Sequence, residues 1–490
     1  MQFKGRSVLI TVLSTMIASV LITLLVTDKL VDNNKQPLSV VAASSNKQSY
    51  QMTKTEMGKL NAVLELIETK YFTKVEREDI LDGAISGMLG ALNDPYSVYM
   101  EDDTAKQFTE SIDGSFSGIG AEVSMENGRV VIVSPIKGSP AEKAGLLAKD
   151  ILLSVNGESV DGLTLQEAVD KIRGPKGSKA KLSILRNNST EPIQVVIVRD
   201  DIDIETVFAS IDKQGIGVIE IRQFSMNTGK RFIEELKKLE QQKLKGLVID
   251  VRNNPGGVLQ VVVEVAQAMM KPGSVILQVE DRDGGKEQSK AQGGQKKPYP
   301  IAVVTNNGSA SASEILAGAL QENGLAHVIG EDTFGKGTIQ VSYNKALGDN
   351  SLVKLTIAKW LTPKGNWINE VGVKPNKVVA PPALYTVARI MLDEPFKKDQ
   401  FSEQIRSAQV MLQGIGYEIG REDGYFDTKT EQAITKFQRA NKLKVTSMLD
   451  KPTVAALEKQ VIDWIGAEKN DRQLQEAIQW VKQAGKKATK

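Results

Sequence analysis

"IAVVTNNGSASASEILAGAL", residues 301–320, decides how the rest of the chain is read. Its opening, "IAVVTN", is a short apolar run of the kind that forms a buried strand. Gly308 allows a sharp turn, and Ile315, Leu316, Ala319 and Leu320 then recur at helical spacing, so the stretch predicts strand, turn and helix. Ser309, Ser311 and Ser313 crowd that turn. A hydroxyl there lies beside backbone N–H groups that the first helical turn leaves unpaired, and these can cap the helix or stabilise an oxyanion. The turn is a place for a nucleophile, and composition does not choose among the three serines.

What activates such a hydroxyl is narrowed by what is missing. The chain has no cysteine and a single histidine, His327. A thiol nucleophile is excluded, a zinc site lacks its usual ligands, and neither metal nor cofactor is expected. His327 stands between "NGLA" and "VIG", where it opens a strand rather than serving as a base. The remaining serine chemistry uses lysine, and Lys336 sits in a glycine bracket, "FGKG", with little side-chain bulk around it. To accept a proton its amine must be neutral, and lowering its pKa from about 10.4 to about 7 takes roughly 4–5 kcal/mol of burial or nearby positive charge. Beyond it "TIQVSY" (residues 338–343) alternates as a strand, so that Lys336, Thr338 and Gln340 share a face and Gln340 can hold the amine. "GEDTFGKG" (residues 330–337) nearly spells a phosphate loop, but Gly337 stands where the magnesium-binding hydroxyl belongs, so no nucleotide is expected.

"GSASASE" and "FGKGTIQ" resemble the catalytic motifs of the carboxy-terminal processing (tail-specific) serine proteases. The resemblance implies Ser311 as nucleophile, Lys336 as base and Gln340 as the orienting residue. "LVIDVRNNPGG" (residues 247–257) is similar to a further motif of that family, and the oxyanion donors carried over from it are the amides of Gly257 and Ala312. The fold class implied is multidomain, α/β and α+β, with an α/β Ser-Lys protease core.

The length of 490 residues allows three domains or more. With 62 basic against 60 acidic residues, the net charge of +2 gives no electrostatic reason to expect a nucleic-acid partner. Residues 1–27 carry two positive charges and then an uncharged apolar run from Ser7, long enough to span a bilayer at about 20 residues. They predict a transmembrane helix that anchors the chain in the cell membrane, single-pass, with the bulk extracytoplasmic; a cleaved signal peptide is the rival reading. Residues 28–50 are a polar linker. Residues 51–113 predict helices, with Leu60, Val63, Leu64 and Ile67 as one stripe and Ile80, Ile85, Met88, Leu89 and Leu92 as another. In the resembled family this region helps form a homodimer; the alternative is that the helices pack on a core of their own.

Residues 114–201 resemble a PDZ domain. Gly118, Ile119 and Gly120 would present N–H groups to a peptide's terminal carboxylate, and the strand from Ala121 would pair with the peptide. The helix "TLQEAVDKIR" would form the other wall, with Leu165, Val169 and Ile172 on its apolar face and Arg173 at its end as a gating residue. Residues 202–381 predict alternating strands and helices, the protease core, with 283–298 as a mobile loop near the site. Residues 401–465 resemble a three-helix peptidoglycan-binding module; "FDTKTEQAI" at Phe426 echoes "LDKPTVAAL" at Leu449, each with an aspartate, Asp427 or Asp450, placed to cap a helix. Tyr425 and Gln438 are candidate glycan contacts there, and 466–490 reads as a basic helical tail. The expectation is a membrane-anchored serine endopeptidase acting near or from the C-termini of proteins and peptides. The alternative is a catalytically silent PDZ scaffold that binds the cell wall.

Overall fold

The computed structural model describes residues 51–186, 191–344 and 347–488, so the expected anchor and linker lie outside the described residues. Among the described residues no helix is long and apolar enough to cross a membrane. The chain divides into two compact units, Met1–Gly83 and Ala84–Lys490.

The first unit holds α1 (Lys54–Lys70) and the start of α2 (Arg77–Gly90). Thr53 and Glu56 form a reciprocal capping box that starts α1. The helix buries none of its residues, and of the expected stripe Leu60 and Val63 are exposed while Leu64 and Ile67 are half-buried. It therefore has an apolar face and no core of its own to cover it.

The second unit begins with β1 (Val98–Met100) and α3 (Asp102–Asp113). Although they were grouped with the N-terminal helices, both pack within the protease unit, because Ser225 and Gln223 donate to the Ser111 carbonyl at the end of α3. The PDZ region follows as β2 (Ser115–Gly118), β3 (Ala121–Glu126), β4 (Arg129–Pro135), α4 (Pro140–Lys143), β5 (Ile151–Val155), β6 (Glu158–Ser159), α5 (Leu165–Ile172), β7 (Lys179–Leu185), β8 (Ile193–Val198) and β9 (Asp200–Asp203). Its main sheet runs β3-β4-β5-β7-β8 around buried Ile132, Leu152, Leu182 and Ile184, which leaves β3 on an edge.

The protease core contributes β10 (Val207–Ile211), β11 (Ile216–Ile221), α6 (Thr228–Gln241), β12 (Gly246–Asp250), α7 (Leu259–Gln267), β13 (Val275–Glu280), β14 (Lys286–Lys290), β15 (Ile301–Thr305), α8 (Ala312–Glu322), β16 (Ala326–Gly330), β17 (Thr338–Tyr343), β18 (Leu352–Leu361) and β19 (Lys377–Val378). One sheet runs β10-β11-β12-β15-β16-β19, parallel except for β10. β12 and β15 are buried at every position, which is why they read as unbroken apolar runs. The second sheet runs β1-β18-β13-β14, with β17 also paired to β18. The stretch 283–298 is thus not simply a loop: β14 pairs with β13, and Ser289 and Ala291 are buried.

Three helices, α9 (Glu403–Gly414), α10 (Thr428–Ala440) and α11 (Lys451–Ile465), share a separate core that includes Ile405, Leu412, Phe426, Phe437 and Leu457. The last helix, α12 (Arg472–Ala488), lies in the segment read as a basic helical tail, and it packs on the core. Its Leu474, Ala477, Ile478 and Val481 bury against Ile216, Val248, Ala302 and Val304, closing the second face of the parallel sheet. Gly246 makes room for it, since a Cβ there would lie 2.0 Å from Val481 Cγ1.

Candidate active site

The turn after β15 separates the three serines by their surroundings. Ser309 is fully buried and its hydroxyl donates to the Val251 carbonyl at 2.8 Å; Ser313 is fully buried and donates to the Asn254 carbonyl at 2.9 Å. Ser311 alone of the three is not buried. It is held at φ 55° and ψ −111°, a conformation that costs a non-glycine residue about 1–3 kcal/mol. Such strain persists only where the surroundings impose it, and here they are tight: a Cβ on Gly256 would lie 2.8 Å from Ser311 Cβ and 3.0 Å from the Ala312 nitrogen. Among the described residues neither the Gly257 nor the Ala312 amide has a hydrogen-bond acceptor, so both can serve an oxyanion.

Glu314, which the sequence reading did not single out, joins the two motifs. Its fully buried carboxylate accepts from the Ser311 nitrogen (2.8 Å) and the Lys336 nitrogen (2.9 Å) on one oxygen, and from the Gly335 nitrogen (2.7 Å) and the Thr333 hydroxyl (2.6 Å) on the other. The glycine bracket is explained by the same crowding. Gly335 sits at φ 90° against the Glu370 backbone, and a Cβ on Gly337 would lie 2.6 Å from Trp367 Nε1. Trp360 Nε1 donates to the Lys336 carbonyl at 2.8 Å, fixing the residue from the other side.

Burial, and then the nearby Lys354 ammonium, bring the Lys336 amine down to about 8 against the opposing charges of Asp94 and Glu314. About a tenth of the amine is therefore neutral at pH 7, against well under a thousandth for an ordinary lysine. Lys336 Nζ lies 4.8 Å from the centre of the Tyr96 ring. Asp94, from the same "DPYS" segment, accepts from the Ser97 hydroxyl at 2.6 Å and the Tyr96 nitrogen at 3.1 Å. Gln340 donates from Nε2 to the Thr338 hydroxyl (2.8 Å) and the Thr356 hydroxyl (3.0 Å); among the described residues no hydrogen bond joins it, or the Ser311 hydroxyl, to the Lys336 amine. His327 opens β16 opposite Ala302, at the far end of the strands from Ser311, and stacks on Trp480 with centroids 4.5 Å apart.

The sequence profile of Peptidase family S41 matches residues 215–379, and that of the Activating protease CtpB N-terminal domain matches residues 17–104. A PDZ domain profile matches residues 131–186 and a peptidoglycan binding domain profile residues 401–457. The carboxy-terminal processing protease CtpB of Bacillus subtilis (strain 168) is 47% identical over 425 residues, 86% of this chain and 88% of its own. The chain belongs to peptidase family S41. The carboxy-terminal processing protease CtpA of the same organism is 39% identical over 432 residues, 87% of this chain and 91% of its own. Among solved structures, a photosystem II D1 C-terminal processing protease is 28% identical, covering 68% of this chain and 95% of its own at a TM-score of 0.40.

In this S41 serine peptidase the two walls expected of the PDZ groove are the edge strand β3 and helix α5. The Ile119 carbonyl accepts from the Ala141 nitrogen, and that of Gly120 from the Ile136 nitrogen and the Ser139 hydroxyl, so both carbonyls of the Gly118-Ile119-Gly120 loop are tied inward. The Ile119 side chain is buried in the PDZ core, as is Ile172; of the predicted groove residues, Val169 is half-buried and Leu165 exposed. Arg173 caps α5 and pairs with Glu110 of α3 at 2.7 Å, its guanidinium 5.1 Å from the Phe116 ring centre.

In the C-terminal module Gln438 is fully buried, bonded to Thr446, Met448 and Thr453, and is not a surface contact. Tyr425 is half-buried, its hydroxyl on Asp399 at 2.9 Å.

Proposed function

We propose that this peptidase is a membrane-anchored endopeptidase that cleaves proteins near or from their C-termini with a Ser311–Lys336 dyad. One observation carries the reading: an amine brought down to about 8 by burial belongs to a residue whose backbone hangs on the same Glu314 oxygen as that of Ser311, the unburied serine of the turn. Neutral Lys336 takes the Ser311 proton as Oγ attacks the peptide carbonyl, and the oxyanion takes the Gly257 and Ala312 amides. The resulting Lys336 ammonium returns the proton to the leaving amine, and water then releases the acyl group as a carboxylic acid. Gln340 orients the amine once its present threonine partners are exchanged.

The PDZ domain takes the substrate's C-terminal end, its carboxylate on the loop at Gly118, Ile119 and Gly120 and its chain along Ala121 and Val169, with the buried Ile172 supporting that wall from the core. Arg173 is the gating residue, and its bond to Glu110 is what groove occupancy would change. Residues 1–27 anchor the chain, the uncovered face of α1 takes a second copy of this chain, and residues 401–465 contact peptidoglycan. Cleavage of an unfolded protein with a free C-terminus tests the dyad: Ser311→Ala and Lys336→Ala are each expected to lower kcat/KM by about 10³-fold or more. Cleavage equal to wild type would sink the dyad and leave a PDZ scaffold. Arg173→Ala should alter stimulation by a groove-binding peptide; unchanged stimulation removes the gating role.

A further inference from the structure

A second lysine stands beside the segment that Lys336 reaches: the Lys336 Nζ lies 4.8 Å from the Tyr96 ring centre, two residues before Val98 of β1. β18 pairs with β17 on one edge and β1 on the other, and Lys354 lies where all three strands meet, opposite Ser342 and Val98. It is two residues from Thr356 on β18, so the two side chains leave the same face. Thr356 is the residue that receives the Gln340 amide, and its own nitrogen donates to Ser97 of the Asp94 segment. The Lys354 ammonium is half-buried and rests 5.3 Å from the centre of the Phe108 ring of α3.

We propose that Lys354 is a positioning residue for the Lys336 base: a like charge, held on the same face by Phe108, that keeps the Lys336 amine neutral when the site is ready to react. The inference rests on the dyad reading above. The charged and titratable groups around Lys336 are Asp94 and Tyr96 from the segment before β1, Glu314 from α8, Lys354 from β18, and Glu370 near Tyr96. Asp94 and Glu314 favour the ammonium; Lys354 is the one group of the five whose charge opposes it. Two carboxylates beside a base are a liability unless something offsets them, and burial alone would have to do so if Lys354 were neutral. Burial lowers Lys354 itself, against Asp94, while the Phe108 face favours its charged form.

The site reaches the PDZ domain through one helix. α3 carries both Phe108 and Glu110, the latter bound to Arg173 at the end of the groove helix. A shift of α3 would therefore move the support of Lys354 together with the partner of Arg173.

The test is the pH profile of kcat/KM for the full chain on an unfolded protein substrate. In Lys354→Met the rising limb should move upward by about half to one pH unit, so that activity falls several-fold near pH 7 and returns to the wild-type plateau at alkaline pH. Lys354→Arg, which keeps the charge, should leave the limb in place. A uniform loss at every pH with an unmoved limb in Lys354→Met would overturn the proposal and leave Lys354 a packing residue. A limb displaced equally in Lys354→Arg would overturn it as well. Neither result touches the dyad, which fails separately if Lys336→Ala retains turnover.

Discussion

Glu314 in the protease core and Gln438 in the three-helix module are both fully buried, and both hold loops by several hydrogen bonds, yet only one can carry a charge. Gln438 offers its surroundings both donors and acceptors: the two N–H groups of Nε2 lie within reach of the Thr446 and Thr453 hydroxyls and the Met448 carbonyl, while Oε1 accepts from the Thr446 and Ser447 nitrogens at 3.0 Å each. Gln409 repeats the pattern one repeat earlier, with Thr430 and the Tyr425 carbonyl as acceptors and the Gly424 nitrogen as donor. A carboxylate only accepts, so every partner of Glu314 must be a donor, and those partners come from both the serine turn and the glycine bracket. The neutral amides build a rigid module. The carboxylate gathers the two loops and at the same time places a negative charge near the amine that the proposed dyad needs neutral.

The largest break in that comparison is Glu314→Gln. An amide would aim hydrogens at backbone N–H groups that already point inward, leaving buried donors unmatched. Activity should fall by about 10³-fold, because the positions of Ser311 and Lys336 both depend on that oxygen. A variant with near wild-type kcat/KM would mean that the two loops are placed by Gly256, Trp360 and Trp367 without it.

The pH dependence of the wild-type enzyme comes next. In the proposed dyad the reactive form of Lys336 is the unprotonated one, so kcat/KM should climb about tenfold per unit below about 8 and level above it. Residual activity in Glu314→Gln should show this limb at lower pH, since a charge that favours the ammonium is gone. Gln438→Leu should leave it where it is. A wild-type limb centred near 10, the ordinary lysine range, would mean that burial and Lys354 do not act on Lys336 as described.

Much of this was legible in the chain because apolar runs announce buried parallel strands: "GLVID" and "IAVVT" are β12 and β15 as read. The serine turn and glycine bracket were also legible, although the proposal of Ser311 came from a resemblance, and the burial of Ser309 and Ser313 is what supports it physically. Glu314 was missed although it completes Ser-x-x-Glu at the start of a helix, a capping signal. It looked like an ordinary first-turn acid because nothing local reveals that Thr333, Gly335 and Lys336 arrive on its far side. The period of Leu474, Ala477, Ile478 and Val481 was present, but the lysines after it suggested a tail. β14 carried no apolar period at all, since as a polar hairpin strand it owes its place to pairing with β13.

In the module, Gln438→Leu leaves the Thr446 and Ser447 amides without an acceptor and should cost about 2–3 kcal/mol. The loss would appear as faster hydrogen exchange across residues 401–465 with cleavage of a soluble unfolded substrate unchanged. Lost catalysis in a folded Gln438→Leu chain would show that the module's interior is coupled to the active site.

The smallest effects should separate the two repeats. Asp427 caps α10 by accepting from the Thr430 nitrogen at 2.8 Å, and Asp450 caps α11 by accepting from the Thr453 nitrogen at 3.0 Å. Removing either cap should cost about 1 kcal/mol. Asp450 also accepts from the Thr446 hydroxyl at 2.7 Å, and although burial pushes its carboxyl up, the bonds from Thr453 and Thr446 hold it below the ordinary value. Its contribution is therefore complete above the unfolded carboxylate value, about 3.9, and is lost as pH falls through the lower folded value. Asp450→Ala should then destabilise the module more than Asp427→Ala near neutral pH. Thr446→Val, which removes the extra bond and keeps the shape, should close most of that gap; equal losses for the two aspartates from the outset would mean that Gln438 alone holds the second repeat's loop.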